Sequence, residues 1–159
     1  MRLVGMAKPQ GGSLGTDVFC SDAIAKGVFY RTRHTMAVAD IAPVVYGHSL
    51  IIPIRHVLDI TELGEEETLD LFNTLRKVQP VLLRLYGDES KSYDFTSQIG
   101  EYSGMSIRHL HFHLIPRTRT DEYQHGKNIF AAIEHRPRLQ EDEYAKRVAI
   151  LRKELKWSE

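Results

Sequence analysis

Three histidines alternate with apolar residues in Arg108-His109-Leu110-His111-Phe112-His113-Leu114-Ile115-Pro116. Alternation with period two marks a half-buried β-strand, on which successive side chains point to opposite faces. His109, His111 and His113 then share one face, roughly 6.5–7 Å apart along the strand. Leu110, Phe112 and Leu114 share the other and need a core. A single strand histidine is ordinarily a satisfied polar residue; three on one face point to chemistry. Imidazole offers two kinds. It is the commonest neutral metal ligand, so the row could hold an ion. It is also a nucleophile toward phosphorus, so one ring could carry a transferred group while its neighbours donate hydrogen bonds. Pro116 ends the strand, because proline cannot extend a hydrogen-bonded ladder.

The elements that must position this row are written in the periodicity. Apolar runs predict strands over Val28–Arg31, Thr35–Asp40, His48–Pro53 and Ser92–Gln98, with Pro43 and Gly47 punctuating the loop between the second and third. Leu71, Phe72, Leu75, Val78, Leu82 and Leu85 recur at three- and four-residue steps, predicting a helix from Glu65 to Leu85 with one apolar stripe. Glu65, Glu66 and Glu67 place negative charge at its positive end, and Pro80 is expected to kink or split it. A second helix is expected from Glu141 to Trp157, with Tyr144, Val148, Leu151 and Leu155 on one side. Asp17–Ile24 is read as a short helical turn. Residues 118–138 are polar and receive no assignment. Residues 1–16 are glycine-rich and aperiodic, and are expected to form a flexible arm before a single domain over residues 17–159. This order fits an α+β fold: a mostly antiparallel five-stranded sheet, one long helix and a C-terminal helix.

The totals bound the function. A chain of 159 residues can bury one core, and 21 basic residues balance 21 acidic ones. Such a balance argues against a nucleic-acid or membrane partner. Cys20 is the single cysteine, so an internal disulfide and a four-cysteine zinc site are excluded, and a reducing cytoplasmic location is expected. No apolar run is long enough to span a bilayer.

These features converge on a known pattern. His-Leu-His-Phe-His-Leu-Ile resembles the signature of the histidine triad family. Asp40-Ile41-Ala42-Pro43 followed by Gly47-His48-Ser49-Leu50-Ile51-Ile52-Pro53 looks like that family's earlier strand-turn-strand, and Gly104-Met105-Ser106-Ile107-Arg108 like its loop before the triad. The likeness runs from roughly Val18 to Arg117. Pro116-Arg117 and Gln98 resemble the fragile histidine triad branch, whose members hydrolyse dinucleoside polyphosphates. The glycine-rich continuation of the phosphoramidase branch is absent. Two departures stand out. Met105 occupies a position where the hydrolase branch usually has Gln beside the phosphates. Some members carry a zinc-binding Cys-x-x-Cys near the start; here Asp17 replaces the first cysteine, so no structural zinc is expected.

The resemblance implies a nucleotide as substrate and assigns roles. His111, with neighbours on both sides, is the nucleophile, its other ring nitrogen held by a backbone carbonyl, that of His109. His113 donates to a non-bridging oxygen of the α-phosphate, and His48 and His109 line and polarise the site. Gln98 and Ser106 donate to the phosphate or leaving group, and backbone N–H groups from Gly104 to Ile107 cradle oxyanions. Asp40 is the ribose ligand, and Val38, Ile41 and Phe19 form a slot for the base. No cofactor is expected to be tightly bound; Mg or Mn would accompany the substrate phosphates. The resemblance also implies a homodimer. The leading expectation is hydrolysis through a nucleotidyl-His111 intermediate. The alternatives are a phosphorylase using the same intermediate, a metal-binding module built on the three histidines, and a nucleotide-binding sensor.

Overall fold

A computed structural model describes residues 17–123, 129–134 and 136–157, so the arm expected over residues 1–16 lies outside the described residues. Five strands, β1 (Val28–Arg31), β2 (Thr35–Ala39), β3 (Ser49–Pro53), β4 (Tyr93–Thr96) and β5 (Phe112–Pro116), form one sheet in the order β1-β2-β3-β5-β4. Every neighbouring pair is antiparallel. Three helices accompany it: α1 (Glu65–Tyr86), α2 (Ile129–Glu134) and α3 (Glu141–Leu155).

The α+β expectation holds, with β1 as expected and β2, β3 and β4 shorter than the pattern suggested. The histidine run becomes ladder only from Phe112. Before it, the Leu110 N–H donates to the Val57 carbonyl at 2.7 Å and the His109 N–H to the Ile107 carbonyl at 2.8 Å. Those donors are engaged outside the sheet, so the run up to His111 is irregular although its side chains still alternate. Asp40 and His48 sit one step beyond β2 and β3, where the Asp40 N–H donates to the His48 carbonyl at 3.1 Å. Gly47 makes this turn at φ +84°, and a Cβ there would lie 2.5 Å from the Tyr86 ring. Only glycine meets both conditions.

The face opposite the histidines carries the main core. Phe29, Ile51, Phe112 and Leu114 pack against Leu71, Val78 and Leu82 of α1 and against Val148 and Leu151 of α3. On the histidine side, Phe19, Met36, Val38, Leu50 and Ile52 form a smaller cluster under two short 3-10 turns, Val18–Cys20 and Asp22–Gly27. Strands β2, β3 and β5 are therefore buried on both faces. Helix α1 runs unbroken through Pro80, against the expected split. Pro80 and Arg76 lie on the exposed side, so the carbonyl that loses its donor faces solvent. Phe72 leaves the expected stripe: it is 44% exposed and sits edge-on to Phe95 at 6.3 Å. Helix α2 lies in the stretch that received no assignment; Ile129 and Ile133 bury it against Ile115. Among the described residues no helix is long and apolar enough to cross a membrane.

Candidate active site

The site is built where β5 meets the turn between β2 and β3. Its register is fixed by the ladder: His113 lies between Leu50 of β3 and Thr96 of β4. The alternation then directs His111 and His113 into one cavity of about 910 Å³. This is within the ordinary range for a small-molecule site. Phe19, Val38 and Ile41 form part of an apolar wall, and Gln98 and the residues Gly104 to Ile107 form a second wall.

The hydrogen bonds assign a proton to each imidazole. The His111 Nδ1–H donates to the His109 carbonyl at 2.7 Å, which leaves Nε2 unprotonated on a ring that lines the cavity. His48 Nδ1 accepts from the Val44 N–H at 3.3 Å and from an Arg136 Nη1–H at 2.8 Å. The proton of His48 is therefore on Nε2, 2.9 Å from His113 Nδ1. His113 accepts there and carries its own proton on Nε2. Burial holds all three rings neutral. It pushes the His113 imidazolium down to about 3 and lowers His111 and His48 as well, the latter strongly. The Arg136 guanidinium adds to each of these shifts. The site thus pairs an unprotonated nitrogen on His111 with an N–H donor on His113.

Two histidines sit behind the cavity rather than on its surface. His48 acts through His113. His109, fully buried, donates from Nε2 to the Pro53 carbonyl at 2.8 Å and supports His111 through its own carbonyl. The expectation that both line the site becomes one of support. Because these rings bond to different partners, the three triad histidines do not converge on one point. That removes the reading in which together they hold a metal. Asp40 is buried beside the cavity. Its Oδ1 accepts from the Ala42 N–H at 2.8 Å, and its Oδ2 pairs with Arg136 Nη2 at 3.0 Å. Burial raises the Asp40 carboxyl, and Arg136 opposes that shift. Gln98 donates to the Ser103 carbonyl at 2.7 Å and so braces the loop. Gly104, in the left-handed region, and Met105 direct their N–H groups to the Glu101 and Gly100 carbonyls. The expected oxyanion cradle thus narrows to Ser106 and Ile107.

Among the described residues, two groups of side chains have the spacing of metal ligands. Asp40, His48 and His113 form one, but the Arg136 guanidinium already occupies its charge and opposes a cation there. Asp17, Cys20 and His109 form the other. Asp17 Oδ2 lies 3.4 Å from His109 Nδ1, which in turn lies 3.5 Å from Cys20 Sγ. His56 Nε2 stands 3.2 Å from the same Asp17 oxygen. Tetrahedral zinc, with bonds of about 2.0–2.3 Å, sets its donors about 3.3–3.7 Å apart. The His109 Nδ1 lone pair faces a carboxylate oxygen that is buried without a hydrogen-bond partner, and acceptors so placed suit a cation. With Asp17 in place of the first cysteine, three donors, Asp17, Cys20 and His109, keep the spacing of zinc ligands, while His56 Nε2 donates to the Arg108 carbonyl at 2.7 Å. When bound, the ion would tie the first 3-10 turn to the triad.

Sequence reasoning missed Arg136 and His56 as members of these clusters, and discounted Asp17 as a lost zinc ligand. Arg136 stands in the connector between α2 and α3, which has no periodicity. No spacing rule links Asp17 and His56 to the triad, and only the folded backbone joins them.

Several known proteins resemble this chain. A bis(5'-nucleosyl)-tetraphosphatase (asymmetrical) of Schizosaccharomyces pombe is 34% identical over 103 residues, covering 65% of this chain and 56% of that one. A bis(5'-adenosyl)-triphosphatase of Saccharomyces cerevisiae is 32% identical over 118 residues, covering 74% of this chain and 55% of that one. This chain therefore spans about half the length of the curated relatives it matches. The crystal structure of the Caenorhabditis elegans NitFhit protein aligns with a TM-score of 0.65 at 27% identity, covering 82% of this chain and 27% of that one. A profile of the HIT domain matches residues 21–120, and the chain belongs to the histidine triad family.

Proposed function

We propose that this chain hydrolyses dinucleoside polyphosphates, or related adenylyl conjugates, at the α-phosphorus through a nucleotidyl-His111 intermediate. One observation carries the reading: the 2.7 Å bond from His111 Nδ1 to the His109 carbonyl leaves Nε2 as the attacking nitrogen. Attack forms the Nε2–phosphorus bond and breaks the bond to the bridging oxygen, and the leaving phosphate departs with that electron pair. The ring keeps its Nδ1 proton and becomes a cationic adduct, which the His109 carbonyl stabilises. Water then attacks phosphorus and gives up a proton to solvent, while the Nε2–phosphorus bond breaks and returns its electron pair to the ring, which frees the nucleotide and restores the neutral imidazole. His113 donates from Nε2 to a non-bridging oxygen throughout. Ser106 and Ile107 supply further donors, and Val38, Ile41 and Phe19 take the base. Asp40 takes the ribose, each of its oxygens keeping a second lone pair. Magnesium or manganese accompanies the phosphates rather than the protein. The working form is a homodimer, and the compartment is the reducing cytoplasm, which suits the exposed thiol of Cys20.

A panel of adenylylated compounds, incubated with and without inorganic phosphate, tests the reaction. Hydrolysis yields AMP in both conditions. ADP formed only with phosphate would show a phosphorylase. No turnover, with tight nucleotide binding, would overturn the enzyme reading and leave a sensor.

A further inference from the structure

Arg136 serves no step of the reaction above, yet among the described residues it is the cation that bonds to a buried histidine of the site. Its side chain is 16% exposed. The connector that carries it is pinned by the Leu139 N–H, which donates to the Ile41 carbonyl at 2.8 Å. That bond sets Arg136 over the turn holding Asp40 and His48. One guanidinium nitrogen, Nη2, meets Asp40 Oδ2 at 3.0 Å; the other, Nη1, meets His48 Nδ1 at 2.8 Å.

We infer that Arg136 is a positioning residue that keeps the His48 proton directed at His113, and so keeps His113 a donor to the substrate phosphate. The reason lies in what competes for that proton. His48 Nε2 has two acceptors in range: His113 Nδ1 at 2.9 Å and Asp40 Oδ2 at 3.5 Å. A bare buried carboxylate would win, because it attracts an N–H more strongly than a neutral imidazole does. It would also draw a second proton onto His48, making an imidazolium beside His113 and His111. Arg136 blocks both outcomes. Its guanidinium neutralises Asp40, and because it has donors only, it makes Nδ1 of His48 an acceptor. The Val44 N–H also donates to that nitrogen, but at 3.3 Å and without charge. The direction then passes along the chain: Arg136 to His48, His48 to His113, and His113 Nε2–H outward. In this account Asp40 and His48 form a latent acid-base pair, and Arg136 keeps it from acting.

The inference rests on the hydrolase reading only for the use made of the His113 donor. The proton positions belong to the free protein and are tested without substrate. Histidine-selective 15N NMR on the whole chain, at pH 7.5, reads the tautomer of each ring. In the wild type His48 and His113 are both neutral with the proton on Nε2. In Arg136→Met, His48 becomes cationic or turns its Nε2–H to Asp40, and His113 loses its single tautomer. Turnover of the best adenylylated substrate then falls roughly ten- to a hundredfold in kcat, the loss expected of one charge-assisted hydrogen bond, with KM changed less. Arg136→Lys keeps the charge beside Asp40, and so restores the neutral His48 and most of kcat. It also gives the NMR comparison a folded protein if the Met variant does not fold: a shifted His48 tautomer in the Lys variant, with full kcat, would overturn the inference. Unchanged tautomers in Arg136→Met would overturn it as well. If KM rose while kcat held, Arg136 would be a substrate ligand instead. Changed tautomers without any turnover in the wild type would leave the inference standing and sink the hydrolase reading.

Discussion

At the scale of single residues, the chemistry depends on which nitrogen holds each proton. The triad's alternation was legible because spacing alone places His111 and His113 on one face, and Gly47-His48 was legible because the turn needs a glycine. What spacing could not show is that His48 and His109 work from behind the cavity. Proton positions follow from partners far away in sequence, Pro53 and Arg136 among them. Met105, on the cavity wall, carries a prediction of its own. A thioether donates no hydrogen bond, so recognition of the phosphates beyond the α-position should be weak. Met105→Gln is expected to raise kcat/KM for dinucleoside polyphosphates, relative to simple adenylyl conjugates, by roughly one order of magnitude. Kinetics on both substrate types in wild type and variant check this. A ratio that stays put, or moves toward the simple conjugates, means the Met105 side chain is turned from the phosphate path.

At the scale of elements, the periodicities located β1 to β5, α1 and α3 and matched β1 at both ends, but misjudged ends of the others. Strand ends depend on where backbone donors find partners, as the Leu110 bond to Val57 illustrates. Helix α2 escaped because six residues make too few turns for a 3.6-residue period to show. The first 3-10 turn, read as a short helical stretch that had lost a zinc ligand, matters more than its length suggests. It delivers Asp17 and Cys20 to His109. Zinc is therefore expected to raise Tm, by about 5–10 °C at a hundredfold excess over Kd, and magnesium to leave it unchanged. Asp17→Ala should abolish the zinc response. Thermal melts after chelation and metal addition decide the matter; identical melting with and without zinc means the donors are held by hydrogen bonds alone. Strand β4 is at the sheet edge, with Tyr93 exposed on it and Leu69 and Phe72 exposed on α1. An open edge beside apolar side chains suits pairing with a second copy. Sedimentation should show a dimer at micromolar concentration, and Phe72→Glu should shift it to monomer. A wild-type monomer would contradict the pairing.

At the scale of the whole molecule, burying several neutral histidines couples stability to pH. His113 binds its proton in the fold only near pH 3, and His48 is also strongly lowered. The unfolded chain takes up these protons near pH 6.5, so it binds more protons than the fold below that point. Stability is then fully present above about pH 6.5 and is lost progressively as pH falls toward 3. Between pH 7 and pH 5 the loss is about 2 kcal/mol for His113, and His48 adds to it in the same direction. Urea unfolding at the two pH values measures it, and His113→Asn should flatten the slope; equal stability at both would mean that these rings charge freely in the fold. The same burial that makes them costly to protonate keeps His111 unprotonated for attack. Whether it attacks is open to one direct observation: the intact mass of the protein, quenched within milliseconds of mixing with a dinucleoside polyphosphate. The account predicts a transient species heavier by one nucleotidyl group, carried on the peptide that contains His111, and absent from His111→Ala, which still binds nucleotide. A His111→Ala protein that keeps more than about a tenth of wild-type turnover, or an adduct on another residue, would contradict it.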